Sequence, residues 1–305
     1  MKGGARIRAG AAGLVAVATV TCVPALTSDD ALVTTTRILA VRAVPAEAPP
    51  GTSVTYTPLV ASPSGPASPA IAWDFCVAPL PLTEDNVVSN ACLGSGSLVA
   101  AGVGPSATAA TPKTGCTLFG PDTPPGTGFR PADPDPTGGY YQPLRAELTG
   151  AVTAFALARI QCNLANADAA QATAFAAAYH PNQNPSLLPL VATVGGATTS
   201  FDAIPAGATV KFIAGWAAAD AETFAYFDPT SQTLTQQRES MQVAWYVTAG
   251  SLETESTGRA STDLATTTTN AWTAPSSPSR SFLFVVLRDS RGGVDFASAE
   301  LTLVP

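Results

Sequence analysis

The sequence predicts an all-β chain: two tandem β-sandwich modules, the first elaborated with a long loop and a short helix. Three observations predict it. Short apolar or alternating runs recur along the chain, each bounded by Pro, Gly and Ser turn residues. Two of those runs return in the same order further on. The C-terminus reads as a strand, a tight turn and a second strand, the usual closing hairpin of a sandwich.

The strands are read in order. Arg37 to Val44 (RILAVRAV) is apolar with a loose alternation, and Pro49-Pro50-Gly51-Thr52 turns the chain. Val54 to Val60 and Ile71 to Phe75 follow, separated by the Ser62–Pro69 turn segment. Pro50-Gly51-Thr52-Ser53-Val54-Thr55-Tyr56 is then echoed by Ala206-Gly207-Ala208-Thr209-Val210-Lys211-Phe212, with Ala61 matching Ala217. Ile71-Ala72-Trp73 is echoed by Val243-Ala244-Trp245. The second copy is displaced further at its tryptophan (73 to 245) than at its glycine (51 to 207). An insertion therefore falls in the second connection, within Asp220 to Gln242. Leu187 to Val191 stands where the first strand of the second copy belongs. Phe282 to Leu287, the turn Asp289-Ser290-Arg291-Gly292-Gly293 and Val294 to Val304 close it.

Between the copies the pattern weakens. Gly120 to Gly139 is a Pro/Gly-rich loop, Tyr140 to Arg145 and Ala151 to Cys162 read as strands, and Asn166 to Tyr179 is Ala-rich with a capping Asn or Asp. These belong to an elaborated first module. The boundaries are 37–184 and 185–305, preceded by 1–21 and a polar tether at 22–36. Each module resembles an immunoglobulin-like or PKD-like β-sandwich, on Trp73 and Trp245 near the middle of a sheet. Trp73-Asp74-Phe75 is similar to the W-D-F of PKD domains, with Cys76 in place of their Gly.

Composition sets further bounds. Of 305 residues 46% are hydrophobic and 12% charged, so cores form and the chain is not disordered. A net charge of -7, with lysine only at positions 2, 113 and 211, argues against nucleic acid as a partner. Beyond the N-terminus no apolar run approaches the roughly 20 residues of a membrane helix.

The N-terminus has the form of an export signal. Lys2, Arg6 and Arg8 precede the apolar stretch Ala11 to Val20. Cys22 follows almost at once. This arrangement resembles the lipobox of bacterial lipoproteins, whose cysteine takes a diacylglyceryl group and becomes the mature N-terminus. Thr19-Val20-Thr21 departs from the usual Leu and Gly or Ala of that motif. Cleavage after Ala16-Val17-Ala18, giving a free secreted protein, stays open. Five cysteines is an odd number. With Cys22 as the lipid site, Cys76, Cys92, Cys116 and Cys162 remain, enough for two disulfides. Cys76–Cys92 and Cys116–Cys162 are the expected pairs, out of three possible pairings.

No catalytic signature stands out. His180 is the only histidine and sits at the helix end, and no CxxC, GxSxG, P-loop or HExxH motif occurs. No cofactor or metal is therefore expected. Asp133-Pro134-Asp135 and Glu84-Asp85-Asn86 are loop carboxylates of the kind calcium takes, with solvated turns as the plainer reading. Trp73, Trp245 and Trp272 read as core rather than as a sugar platform, and Trp216 is undecided between the two.

The stretches Thr36 to Val41, Ala48 to Gly51, Gly139 to Pro143, Arg159 to Cys162 and Asn182 to Pro185 resemble predicted lipoproteins of myxobacteria and their relatives. That resemblance implies an envelope location, with outer-membrane anchoring, and no defined activity. The expectation is a non-catalytic envelope lipoprotein, a binding or structural module held to a membrane by its lipid, with an envelope protein or glycan as partner. The Gly120–Gly139 loop is a candidate binding face, with a disordered loop the equal alternative. The alternative is a hydrolase with an unrecognised carboxylate site.

Overall fold

The protein is described by a computed structural model covering residues 30–79, 88–122, 136–148, 153–164 and 167–305. Alternation and turn chemistry resolve into nine strands in the first module: β1 (Arg37–Val44), β2 (Glu47–Ala48), β3 (Ser53–Ser62), β4 (Gly65–Ala67), β5 (Ile71–Cys76), β6 (Leu98–Gly104), β7 (Ala107–Ala110), β8 (Gly139–Leu148) and β9 (Thr153–Gln161). One sheet runs β1-β3-β4 with β7 also on β3, and the facing sheet runs β2-β9-β8-β5-β6. The short helix α1 (Gly115–Phe119) follows β7.

The second module holds β10 (Val191–Val194), β11 (Ala197–Thr199), β12 (Ile204–Pro205), β13 (Thr209–Gly215), β14 (Thr223–Asp228), β15 (Thr233–Arg238), β16 (Met241–Val247), β17 (Ser251–Leu252), β18 (Ser256–Arg259), β19 (Thr267–Thr273), β20 (Arg280–Asp289) and β21 (Val294–Val304). Its sheets are β11-β10-β13-β19-β17 and β12-β21-β20-β16-β18. In both modules a two-residue strand pairs in parallel with the closing strand, β2 with β9 and β12 with β21. The other strand pairs are antiparallel. These are tandem immunoglobulin-like sandwiches.

The internal repeat is structural. Gly51 and Gly207 both take positive φ, +84° and +73°, where a Cβ is disfavoured. Their N–H groups bond to equivalent carbonyls, Thr111 at 2.9 Å and Pro275 at 2.8 Å. Tyr56 and Phe212 are buried, as are Trp73 and Trp245. The correspondence fails at its end: Ala61 is buried, but Ala217 is exposed and caps a short 3-10 turn. The insertion in the second connection forms the β14–β15 hairpin, from Thr223 to Arg238.

Three expectations need correction. The second module's first strand starts at Val191, because Leu187 to Leu190 are held as an irregular segment, with Leu188 N–H bonded to Gly215 carbonyl. The stretch to Thr36 is not a free tether. Ala31 and Val33 are buried on the second module, and backbone bonds join Val33 N–H to Val247 carbonyl (2.8 Å) and Val247 N–H to Ala31 carbonyl (2.9 Å). Finally, helix α2 (Ala169–Ala178), started by Asp168 accepting from Gln171 N–H at 2.7 Å, follows the first module in sequence but packs Phe175 on Ala225 and Phe227 of the β14–β15 hairpin.

The modules do not hang as separate beads. Leu59 and Ala61 of β3 face away from the first core and meet Phe284, Val286 and Val294 of the second module. Gly65 (φ +115°) lies so close to the Phe282 ring that any Cβ there would collide with it.

Candidate functional site

The seam between the modules gathers the buried charges found among the described residues, Glu47, Arg159, Glu239, Asp289 and Arg291. The parallel pairing of β2 with β9 sets Glu47 opposite Arg159. Their side chains form an ion pair at 3.0 Å, almost fully buried at 0% and 1% exposure. Burial of two charges is tolerated only when their remaining donors and acceptors are filled. Here they are. Arg159 also donates to Thr137 Oγ1 at 2.7 Å and to Tyr141 Oη at 3.3 Å. Glu47 accepts from the Asn182 N–H at 2.8 Å and from the Tyr179 hydroxyl. Gly139 must be glycine, since a Cβ would strike the Arg159 guanidinium.

Asn182 carries the network into the second module. Its Nδ2 donates to both oxygens of Asp289 at 3.2 Å. Asp289 also accepts from the N–H groups of Arg291 (2.9 Å) and Gly293 (2.8 Å) in the tight turn after β20. Arg291 then reaches Glu239 at 2.6 Å, Glu222 at 2.7 Å and the His180 carbonyl at 3.1 Å, and stacks over the Phe224 ring. Burial pushes the Glu239 carboxyl up to about 7, with the Asp289 charge adding and Arg291 opposing. Burial also raises Asp289, against its hydrogen bonds from Gly293, Asn182 and Arg291. Burial raises the Tyr179 hydroxyl as well, helped by Glu47.

The connecting segment threads this seam and bonds to both sides. Asn184 donates to the Ala43 carbonyl (2.6 Å) and accepts from the Val294 N–H (2.8 Å). Leu187 N–H bonds Asp295, which pairs with Arg42 at 2.8 Å. Asn184 and Arg288 thereby cap carbonyls of the β1 edge, Ala43 and Leu39, where no partner strand lies among the described residues.

Chemically, this arrangement ties the two modules together through hydrogen bonds and ion pairs. Two of its carboxylates are sealed: the Glu47 and Glu239 side chains are both 0% exposed, and their oxygens are taken by donors of the protein itself. Reading the sequence for site residues misses this cluster. Arg159 inside an apolar strand, and Glu47 beside a double proline, are its available signals.

The expected site residues fall as follows. Cys76 is bonded to Cys92 and Cys116 to Cys162, the pairs named from the sequence, with Cα separations of 5.6 and 5.7 Å. Cys22, Glu84-Asp85-Asn86 and Asp133-Pro134-Asp135 lie outside the described residues, as does most of the 120–139 loop. Gly139 is not loop but the first residue of β8. Among the described residues no group of three metal-ligating side chains occurs. All four tryptophans are buried, so none forms a sugar platform. Trp73, Trp245 and Trp272 hydrogen-bond inside their modules, to Gly104, Thr257 and Ala249. No helix among the described residues is long and apolar enough to cross a membrane.

No family profile matches the chain, and no curated protein matches it in sequence. Among solved structures, it is similar to the Yersinia pseudotuberculosis adhesin InvE at 11% identity and a TM-score of 0.25, over 87% of this chain and 58% of the adhesin. It is also similar to fibronectin(III)-like modules of Clostridium thermocellum CbhA, at 10% identity and 0.21, over 88% of this chain and 93% of theirs. A glycosyl hydrolase family 2 member of Bacteroides cellulosilyticus matches at 9% and 0.22, with 23% of its length covered. The chain thus spans little more than half of the adhesin. At such TM-scores these likenesses carry no argument, and the fold rests on the strand pairings themselves.

Proposed function

We propose that the chain is exported, anchored at the cell envelope through a lipid on Cys22, and works there as a non-catalytic binding or structural module. One observation carries this reading: two disulfides use Cys76, Cys92, Cys116 and Cys162, so Cys22 alone of the five cysteines is left over. Disulfides point to an oxidising compartment. The basic and apolar N-terminal stretches point to export. The docking of Ala31 and Val33 sharpens the picture. The chain from Cys22 to Asp30 reaches no more than about 28 Å when extended. The second module would therefore be held close to the membrane.

Growing cells with an alkyne-bearing fatty acid should label the wild-type protein and leave Cys22→Ala unlabelled. Labelling that survives the substitution removes the anchor. The non-catalytic reading is supported by the sealing of Glu47 and Glu239 within the seam. Purified protein should turn over no ester, peptide, phosphate or glycoside substrate. Turnover abolished by a single carboxylate substitution would favour the hydrolase.

A further inference from the structure

Beside the sealed network lies an open cleft of about 390 Å³. That volume is within the range of small-molecule sites, roughly 300–1,000 Å³. It sits where two strand edges of the first module run without partners. β1 ends its sheet, and β2 covers β9 only at Arg159 and Ile160, so the stretch before them is open among the described residues. Ile38, Val41, Phe155, Leu157 and Val294 give apolar walls, and Arg288 of the second module stands among them.

Arg288 is the arginine of this cleft. Three other arginines of the seam have carboxylates: Arg42 has Asp295, Arg159 has Glu47, and Arg291 has Glu222 and Glu239. Arg288 has no carboxylate in ion-pair range among the described residues. It donates to the Leu39 carbonyl at 3.2 Å. Its neighbour Asp289 also lines the cleft, with its carboxylate occupied by Asn182, Arg291 and Gly293. Burial lowers the Arg288 pKa, and the Tyr246 hydroxyl beside it partly offsets this. A guanidinium is a fork of five donors that matches a carboxylate, and one carbonyl and one phenol leave much of that capacity unspent.

We propose that this cleft binds a small organic carboxylate with an aliphatic body, its head on Arg288 and its chain along Ile38, Val41 and Leu157. The assignment rests on the binding-module reading above and names the ligand class for it. A neutral apolar molecule would leave the arginine unpaired, and an amine would oppose it.

Calorimetric titration of the mature protein tests this, with octanoate as the probe and octanol and octylamine as controls. Octanoate should bind at one site, at least tenfold tighter than either control, and Arg288→Met should abolish the difference. Because Arg288 also caps the β1 edge, two substitutions on the half-exposed wall give an independent reading. Leu157→Glu should weaken octanoate at least tenfold, and Leu157→Lys should not. The proposal is overturned by no octanoate binding, by octanol binding as tightly, or by indifference to Leu157→Glu. Those results would leave the Cys22 anchor untouched, since fatty-acid labelling tests it separately. Hydrolysis of octanoate esters would instead count against the non-catalytic reading.

Discussion

The two sandwiches share a strand plan and achieve it with different means. Among the described residues the second module's core gathers Trp216, Trp245 and Trp272 with Phe212 and a run of Leu, Val and Met. The first module has one tryptophan, Trp73, and five of its 13 core residues are alanine. Alanine brings little surface to bury, and a buried side chain stabilises roughly in proportion to the apolar area it removes from water, about 25 cal/mol per Å². Both disulfides lie in the first module. The comparison teaches that covalent bridges stand in for a thin core, by restricting the unfolded chain rather than by adding contact to the folded one.

Reduction should therefore separate the modules, and this is the largest effect expected. The bridges span 16 and 46 residues, for which loop-closure entropy gives about 3 and about 4 kcal/mol. Losing both approaches the whole stability of an ordinary domain, roughly 5–15 kcal/mol. In dithiothreitol the first module should melt early. Three of the four tryptophans report on the second module, so their fluorescence should hold to higher temperature. A single unshifted melt in reductant contradicts the contrast drawn between the two cores.

Next in size is the charged pair that fastens the seam. Arg159→Ala strands Glu47 at near-zero exposure, and removing one partner of a buried pair typically costs about 3–5 kcal/mol. Arg159→Lys should recover little, because an ammonium cannot reproduce the bonds to Glu47, Thr137 and Tyr141 together. Joint replacement with Glu47→Gln and Arg159→Met should lose less than Arg159→Ala alone. Urea melts of the three variants decide this. If Arg159→Ala proves neutral, the seam is held by its apolar contacts and not by charge.

The second module's half of the seam should show itself through pH. Glu239 has its folded pKa raised to about 7 from an ordinary 4.5, with Arg291, Asp289 and the Glu222 N–H facing it. A carboxyl with a raised folded pKa binds its proton more tightly when folded. The contribution is present below about 4.5 and is lost as pH rises through 7. Asp289 is raised too and acts in the same direction. Stability should fall by roughly 2–3 kcal/mol between pH 5 and pH 8 from Glu239. Glu239→Gln should flatten that slope, as denaturation midpoints across the range would show. A wild-type slope that the substitution leaves unchanged assigns the pH dependence elsewhere.

The strands of both modules are legible because alternation and turn residues are local signals. Arg37–Val44 and Val294–Val304 bound β1 and β21 to the residue. The hairpin insertion is visible only as a gap between the two copies, since Thr223 to Arg238 has polar alternation on one face and no partner in the first copy. The seam is illegible for a different reason. Glu47, Arg159, Asn182, Asp289 and Arg291 lie far apart along the chain, and nothing local marks a charge as buried. Ala31 and Val33 read as tether because Ala31-Leu32-Val33, between Asp30 and Thr34, is too short an apolar run to show a period. Their burial depends on Val247, deep in the second module's sequence.

The smallest effect tests whether α2 belongs to one module or joins both. Asp168 caps it by accepting from Gln171 N–H, and replacing such a cap by alanine costs about 1 kcal/mol. The helix touches both bodies. Phe175 packs on Phe227 of the hairpin, while Tyr179, just past its end, bonds Glu47 of the first module. If the helix is only an appendage of the hairpin, Asp168→Ala loosens α2, β14 and β15 and nothing else. If it couples the modules, amide exchange near Glu47 and Arg159 should quicken as well, because fraying the helix releases the Tyr179 hydroxyl from Glu47. Hydrogen exchange read by mass spectrometry separates the two outcomes, and we expect the second. Unchanged protection in β2 and β9 alongside faster exchange in α2 would confine the helix to the second module.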